Sequence, residues 1–155
     1  MDIRVANFSH PQVRALLAAH VADMTANSPP DNNHVLSEQA LRDSATQLWV
    51  AWVDDQAAAM LGLKPLAGDH AEIKSMRTEP AFRGRGLAQA LLHHVLTQAS
   101  AQGFGRVSLE TGADESYAAA RALYAKAGFL PCEAFPPYTH HPTSAYMSLA
   151  LTTQG

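Results

Sequence analysis

The segment Asp69–Gln89, which reads DHAEIKSMRTEPAFRGRGLAQ, constrains the fold of this chain more than any other. It joins a β-leaning run to a loop with two arginines and two glycines. The loop opens a long amphipathic helix whose apolar residues recur at helical spacing, namely Leu91, Leu92, Val95 and Leu96. The first N–H groups of a helix have no partner within it and lie at the positive end of its dipole. The segment therefore predicts a strand, a loop and a helix whose start binds an anion.

The loop residues favour a phosphate as that anion. Gly84 and Gly86 would let a bulky phosphate approach the backbone, and Arg83 and Arg85 add the charge that suits a pyrophosphate. A surface loop capped by two arginines is the alternative that these residues leave open.

Two familiar phosphate loops do not match the pattern. A Walker loop needs Lys followed by Ser or Thr after its last glycine, whereas Gly86 is followed by Leu87. A dinucleotide fingerprint that starts at Gly84 would need a small residue where Gln89 stands. The remaining pattern is Arg-x-x-Gly-x-Ala at residues 83–88.

The rest of the chain predicts a mixed α/β fold. Two apolar runs on either side of Asp54-Asp55 predict a hairpin. The strand, helix and strand that follow imply one parallel connection. The predicted strands are 3–6, 47–53, 57–63, 69–77, 106–111, 129–133 and 144–151, and the predicted helices are 11–24, 36–42, 87–102 and 116–126. With 155 residues, we expect a single domain that spans residues 1–155.

Composition narrows the class of protein. Apolar residues make up 47% and charged residues 16%, which is enough to build a core. A net charge of -3 argues against a general nucleic-acid binder, which would carry a basic excess. The chain has one cysteine, no signal-peptide pattern at its start and no apolar run long enough to span a membrane. We therefore expect a cytoplasmic protein that binds neither membrane nor nucleic acid.

Two motifs resemble those of a known family. The pattern at residues 83–88 resembles the Gln/Arg-x-x-Gly-x-Gly/Ala pyrophosphate loop of the GNAT superfamily of acetyl-CoA-dependent N-acetyltransferases. Leu123–Phe129, which reads LYAKAGF, resembles the Leu-Tyr-x-x-x-Gly-Phe signature of the same superfamily. Further motifs resemble a group of small bacterial members, namely SPP at 28–30, HVL at 34–36, EIKSM at 72–76, LETG at 109–112, FPPY at 135–138 and PTSAYM at 142–147. The resemblance implies the GNAT acyl-CoA N-acyltransferase fold, a splayed and mostly antiparallel sheet flanked by helices.

The resemblance also implies a site for acetyl-CoA. The pantetheine arm would bond to the amides of Met76 and Thr78, like an added strand, where the strand that ends near Arg77 separates from its neighbour. An exposed amide near Met76 would polarise the thioester carbonyl. The expected cofactor-binding residues are Met76, Arg77, Thr78, Arg83, Gly84, Arg85, Gly86, Leu87 and Ala88.

Glu72 is the first candidate for a general base. It stands eleven positions before Arg83, which is the offset of the strand glutamate that acts as base in the histone-modifying branch of the superfamily. Strand alternation predicts that Glu72, Lys74 and Met76 lie on one face.

Glu110 is the second candidate. Alternation places it with Ser108 on the polar face of the following strand, where it would share a surface with Glu72. Two alternatives stay open: Lys74 pairs with the glutamates in a structural role, or one carboxylate binds a cationic substrate.

Tyr124 occupies the position of the family tyrosine near the thioester sulfur, so the resemblance implies that its phenol protonates the leaving thiolate. The alternative is a half-buried tyrosine that packs near Phe129. Many relatives carry Asn seven residues before this tyrosine, whereas Tyr117 stands there in this chain. That pantetheine contact is therefore in doubt.

The remaining candidates line the acceptor pocket or only pack. His34, Tyr138 and Tyr146 are expected to bind substrate, with hydrogen-bonded packing as the equal alternative. Cys132 is expected in the core. The adjacent pairs at 93–94 and 140–141 lack metal-ligand spacing, so we expect no metal.

The resemblance predicts a small-molecule amine as acceptor. Three rival functions stay open: an acyl-CoA-binding sensor or regulator without turnover, a peptide or protein N-acetyltransferase, and a binder of nucleotide phosphates. Dimerisation is common in the superfamily, so a homodimer is an alternative to a monomer.

Overall fold

A computed structural model describes residues 1–27, 41, 44–136 and 138–151 of the chain. The strands are β1 Asp2–Val5, β2 Gln47–Val53, β3 Gln56–Pro65, β4 His70–Thr78, β5 Arg106–Gly112, β6 Leu130–Pro131 and β7 Ser144–Ala150. The helices are α1 Pro11–Asn27, α2 Leu87–Ala101 and α3 Ala118–Lys126, with 3-10 turns at Pro80–Phe82 and Glu115–Tyr117. Across this described part of the chain, no helix is both long and apolar enough to cross a membrane.

The strands form a mixed sheet, as the order of predicted elements implied. The strand order is β1-β2-β3-β4-β5-β7-β6. β4 and β5 pair in parallel, whereas β1 with β2, β2 with β3, β5 with β7 and β6 with β7 pair antiparallel. The parallel pair is connected through α2, which is the crossover that the sequence predicted. The prediction of a mixed, mostly antiparallel sheet with helices is confirmed.

The chain divides into two compact units, of which the first comprises Met1–Lys64 and Lys74–Val95. Its hairpin of β2 and β3 turns through Asp54 and Asp55, whose φ angles of 49° and 63° suit a tight hairpin connection. Apolar residues of α1, β2 and β3 form its core together with Leu41, namely Val13, Leu16, Leu17, Leu48, Val50, Ala57 and Met60. The predicted strand at the start of the chain, the helix from Pro11 and the hairpin are all confirmed.

The second unit comprises Pro65–Ile73 and Leu96–Gly155. β5 lies between the first half of β4 and β7, and β6 pairs with the outer side of β7. Its buried apolar side chains come from β4, β5, α3, β7 and the connecting loops, namely Ala71, Ile73, Val107, Leu109, Tyr124, Phe129, Phe135 and Met147.

A backbone irregularity divides β4. Its pairing with β5 runs from His70 opposite Arg106 to Ile73 opposite Leu109, and both strands continue beyond that ladder. Ser75 has a φ of +59°, which is a left-handed conformation inside a strand and typical of a bulge. The prediction that Glu72, Lys74 and Met76 share one face assumed regular alternation. The bulge breaks that alternation, so the face of Met76 no longer follows from strand parity.

Other predicted elements differ in extent. β6 has two residues rather than five, because Pro131 has no N–H to donate, although the Cys132 N–H still bonds to the Tyr146 carbonyl at 2.9 Å. α3 begins at Ala118, after a 3-10 turn that the Asp114 side chain caps, rather than at Ser116.

The helices differ from prediction in two further respects. In α2, Leu91, Leu92 and Val95 are buried as predicted, but Leu96 is only partly buried. The predicted helix at 36–42 lies outside the described residues except for Leu41, which is helical and buried.

Candidate active site

Polar side chains of β4, β5 and β7 share one face of the second unit. Glu72 stands opposite Ser108 in the parallel ladder. Across the antiparallel ladder, Ser108 stands opposite Ser148 and Glu110 opposite Tyr146. Because directly paired residues point to the same side of a sheet and alternate residues do so along a strand, these five side chains share a face. The two glutamates therefore lie on the common surface that alternation predicted.

The carboxylate of Glu72 lies inside the protein and meets the phenol of Tyr138. Glu72 is 1% exposed, and Tyr138 donates its hydroxyl to the Glu72 Oε2 at 2.5 Å. The pKa of Tyr138 is raised by burial and by the nearby charges of Glu72 and Glu110. The phenol therefore stays protonated at physiological pH and acts as the donor of this bond.

The second carboxylate, Glu110, is half-buried and has different partners. The Ser144 hydroxyl donates to the Glu110 Oε2 at 3.0 Å. Tyr146, which is 6% exposed, donates its hydroxyl to the Thr139 carbonyl at 2.9 Å. Burial, followed by the charge of Glu110, raises the pKa of Tyr146. The two glutamates thus have separate hydroxyl donors on one face.

An aromatic cluster surrounds these hydroxyl groups. Phe135 is buried, and its ring meets Tyr138, Tyr146 and His70 edge-on, with centroids 5.2, 6.0 and 5.6 Å away. The ring centroids of Tyr138 and Tyr146 lie 6.1 Å apart. The predicted acceptor residues Tyr138 and Tyr146 are therefore brought beside the carboxylates, and His34 lies outside the described residues.

A series of hydrogen bonds on the same face was not predicted from the sequence. The His70 Nε2 lies 2.6 Å from the Ser108 hydroxyl, which lies 2.9 Å from the Ser148 hydroxyl. Arg106 donates to that second hydroxyl at 2.6 Å. Burial, together with the charge of Arg106, lowers the pKa of His70. The sequence feature that could have indicated these hydrogen bonds is the polar residue at alternate positions on each of the three strands.

Tyr124 is buried on α3. Its side chain is 5% exposed and packs edge-on against Phe129 with ring centroids 5.8 Å apart. Burial raises its pKa above the ordinary value of 10. The packing with Phe129 that the sequence offered as an alternative is observed, and the role as acid stays a prediction.

In the first unit, the loop before α2 has the backbone that an anion cradle needs. Gly84 and Gly86 have φ angles of +78° and +77°, which favour glycine over any residue with a Cβ. A Cβ at either position would meet no atom within 4 Å, so space lies beside the backbone. α2 begins at Leu87, and Ala90 donates the first helical bond to the Gly86 carbonyl at 3.1 Å.

Both loop arginines are exposed at the start of α2. The guanidinium of Arg85 lies over the Phe82 ring, 5.2 Å from its centre, which is within cation–π distance. Two exposed cations beside a helix N-terminus give the loop the charge that a pyrophosphate requires.

Arg77, another predicted cofactor residue, has its side chain engaged elsewhere. It is paired with Asp23 of α1 and, at 3.2 Å, with Glu79. Its side chain is only 10% exposed. The part of Arg77 left to meet a cofactor is therefore its backbone.

The surroundings of Tyr117 and Cys132 can be compared with those predicted from the sequence. The ring of Tyr117 packs on Gly112, so the tyrosine at the family asparagine position serves in packing. Cys132 is half-buried rather than a core residue, because β6 is a short edge strand. Burial raises the pKa of its thiol.

Comparison with known proteins identifies the family. The Acetyltransferase (GNAT) family matches residues 13–129. Uncharacterized N-acetyltransferase YedL of Escherichia coli K12 is 40% identical over 149 residues, which cover 96% of this chain and 94% of that protein. Uncharacterized N-acetyltransferase YsnE of Bacillus subtilis 168 is 38% identical over 151 residues, which cover 97% of this chain and all 100% of that protein.

A solved structure shows the same fold. It is the crystal structure of a proposed acyl-CoA N-acyltransferase from Klebsiella pneumoniae, with a TM-score of 0.77, 24% identity and 97% of each chain covered. Together, the matched loop, the mixed sheet and these two relatives make this chain a member of the acetyltransferase (GNAT) family.

Proposed function

We propose that this chain is an acetyl-CoA-dependent N-acetyltransferase that acetylates an amine of a small molecule by direct attack in a ternary complex. It would act as a single domain spanning residues 1–155. The observation that carries this proposal is Glu72, a carboxylate that is 1% exposed yet lies on a polar face beside a second carboxylate. Burying a charged group is costly, and such groups are concentrated at functional sites.

The residues of the first unit fit the proposed cofactor. Its pyrophosphate would be held by the amides of residues 85–88 at the start of α2, with Arg83 and Arg85 supplying positive charge. The open space beside Gly84 and Gly86 would let the phosphates reach the backbone. The backbone of residues 76–78, beyond the bulge at Ser75, would bond to the pantetheine arm.

Acetyl-CoA would supply a thioester whose carbonyl carbon forms a bond to the amine nitrogen while the carbon–sulfur bond breaks. Glu72 would accept the proton that the nitrogen loses, either directly or through a water molecule. Glu72 is buried on a face that carries a second carboxylate, which makes it a suitable base for the acceptor amine.

Tyr124 would serve the leaving sulfur. Because burial raises the pKa of its phenol, the hydroxyl keeps its proton at every physiological pH. A thiol has an ordinary pKa of about 8.5, so full proton transfer from this phenol would be unfavourable. Tyr124 would therefore donate a hydrogen bond to the sulfur, and solvent would complete the protonation.

Glu110 would either share the work of the base or hold a positive charge on the acceptor. Two carboxylates on one face favour an acceptor that arrives as a cation, such as a primary amine. Tyr138 and Tyr146, together with His34, would line the pocket for it.

A thiol-release assay tests the proposal. Acetyl-CoA is offered with a panel of polyamines, amino acids, aminoglycosides and short peptides, and free thiol is measured. Amine-dependent release supports the transferase, and the responding class names the acceptor. Calorimetry that shows acetyl-CoA binding without any release would favour the sensor, and competition by ATP against coenzyme A would favour the nucleotide binder.

A double variant then tests the residues. Glu72→Gln with Tyr124→Phe should abolish turnover and leave acetyl-CoA affinity nearly unchanged. Residual activity equal to that of the unmodified protein would overturn both assignments.

A further inference from the structure

We propose that Tyr138 is a positioning residue for Glu72, whose carboxylate its phenol keeps ionised and fixed in one orientation. This inference rests on the proposed role of Glu72 as the base. It assigns to Tyr138 a function distinct from binding the acceptor, because the hydroxyl is directed at the carboxylate of the protein itself.

The side chains of Tyr138 and Glu72 are in direct contact. The hydroxyl of Tyr138 lies 2.5 Å from the Glu72 Oε2, and the two residues are 66 positions apart in the chain. A hydrogen bond to an ionised acceptor is shorter and stronger than one between neutral groups. Its donor comes from the loop before β7, so the loop conformation controls the carboxylate on β4.

The donor itself is held in place. The Tyr138 N–H bonds to the Phe135 carbonyl at 2.7 Å, which ties the backbone of Tyr138 to that of Phe135. The Tyr138 ring also packs edge-on against Phe135, which is 4% exposed, and is tilted against Tyr146. A ring that is fixed by a backbone hydrogen bond and by two aromatic neighbours presents its hydroxyl in one direction, so the donor is already ordered before substrate binds.

The hydrogen bond from Tyr138 also favours the charged form of Glu72. A carboxylate that is removed from water would favour its protonated form, and a protonated Glu72 could not accept a proton from an amine. A phenol that donates a hydrogen bond to the carboxylate opposes that effect. The titratable groups on this face are Glu110 on β5, Tyr146 on β7, His70 on β4 and Tyr138 in the loop. Lys74 stands two positions after Glu72 along β4.

Tyr146 offers a matched control. Its hydroxyl belongs to the same aromatic cluster, but its proton is donated to the Thr139 carbonyl at 2.9 Å rather than to Glu72. A Tyr→Phe change at either position removes one hydroxyl from the same cluster. The change at Tyr138 removes the hydrogen bond from this tyrosine to Glu72, whereas the change at Tyr146 leaves that bond in place.

The experiment is a carbon-13 NMR titration of the glutamate side-chain carboxyl groups in the full chain, without acetyl-CoA or amine. The Glu72 signal is identified by its absence in Glu72→Gln. In Tyr138→Phe, we expect the titration midpoint of Glu72 to rise by on the order of one to two pH units, the equivalent of a lost hydrogen bond to a charged group. In Tyr146→Phe, the midpoint should stay within about 0.3 unit of the unmodified protein.

An unchanged midpoint in Tyr138→Phe, or an equal rise in both variants, would overturn the proposal. If Tyr138→Phe does not fold, 3-fluorotyrosine placed at position 138 keeps the ring and makes the hydroxyl a stronger donor. The Glu72 midpoint should then fall, and an unchanged or higher midpoint would count against the proposal. Because this titration needs no turnover, its failure is distinct from a failure of the proposed transferase, which the thiol-release assay detects.

Discussion

The ring of Tyr117 lies directly against the α-carbon of Gly112. A Cβ built on Gly112 would stand 2.0 Å from the Tyr117 Cδ2, closer than real atoms approach. Gly112 ends β5, and its carbonyl accepts a hydrogen bond from Arg121 of α3 at 2.6 Å. Because glycine has no Cβ, the ring of Tyr117 can lie this close, which explains how the chain accommodates an aromatic residue at the position where the family resemblance implies asparagine.

Replacing this glycine should destabilise the fold. In Gly112→Ala, the ring of Tyr117 must move, and overpacking of this kind costs about 1–3 kcal/mol of unfolding free energy. Gly105→Ala is the matched control, because its new Cβ would meet only the tip of the Asp69 side chain, which can rotate away. Urea unfolding measures both variants. Equal stabilities would show that Tyr117 does not hold its observed place.

The glycines of the loop before α2 should matter for the cofactor beyond their backbone conformation. In Gly84→Ala or Gly86→Ala, a residue with a Cβ must adopt the left-handed conformation, which costs about 1–2 kcal/mol of folding free energy. The new Cβ also projects beside the proposed phosphate site. We expect the KM for acetyl-CoA to rise at least tenfold. Gly103→Ala, with a φ of +90° and open space around it, has the same backbone cost and should leave that KM unchanged. An equal KM in all three variants would place the cofactor elsewhere.

The phenol of Tyr124 should affect the rate without setting its pH dependence. Tyr124→Phe removes a hydrogen bond that we assign to the transition state, so kcat should fall about 10- to 100-fold. Because burial raises its pKa far above neutrality, the phenol keeps its proton throughout, and the basic limb of the rate profile should stay where it is. Steady-state kinetics between pH 5 and pH 9 measure both quantities. A shifted basic limb, or an unchanged kcat, would contradict the assignment.

His20 on α1 should reduce stability in acid. Burial, together with the charge of Arg77, lowers its pKa from 6.5 to about 4. As pH falls from 6.5 towards 4, the unfolded chain binds a proton that the folded chain does not, so this residue lowers stability by up to about 3 kcal/mol. In His20→Gln, the loss of stability between pH 7 and pH 4.5 should be smaller by on the order of 2 kcal/mol. Urea unfolding at the two pH values measures the difference, and parallel losses would show that His20 does not titrate in this way.

The fold was predictable wherever a local pattern decided it. Apolar runs with a tight turn specified the hairpin of β2 and β3, and the spacing of Leu91, Leu92 and Val95 specified the buried side of α2. The pattern did not reveal the bulge at Ser75, because serine is not the residue that a left-handed conformation favours. The length of β6 was overestimated, because the predicted strand continued past Pro131, whose missing N–H limits pairing.

The site was predictable only in part. The common face of Glu72 and Glu110 was predictable, because side chains alternate along a strand and paired residues of neighbouring strands point to the same side of the sheet. The contact between Glu72 and Tyr138 was not predictable, because a loop conformation joins residues 66 positions apart. For the same reason, Tyr138 and Tyr146 stood in the sequence as equivalent candidates, although their hydroxyl groups have different partners.

In the mechanism we propose, Glu72 removes the proton from the acceptor amine. The most direct measurement is kcat/KM against pH for Glu72→Gln and Glu110→Gln, with the amine that responds best in the thiol-release panel. We predict that Glu72→Gln lowers kcat/KM by about 100- to 10,000-fold and removes the acidic limb, whereas Glu110→Gln lowers it less and keeps that limb. Full activity in Glu72→Gln, or loss of the acidic limb only in Glu110→Gln, would contradict the account.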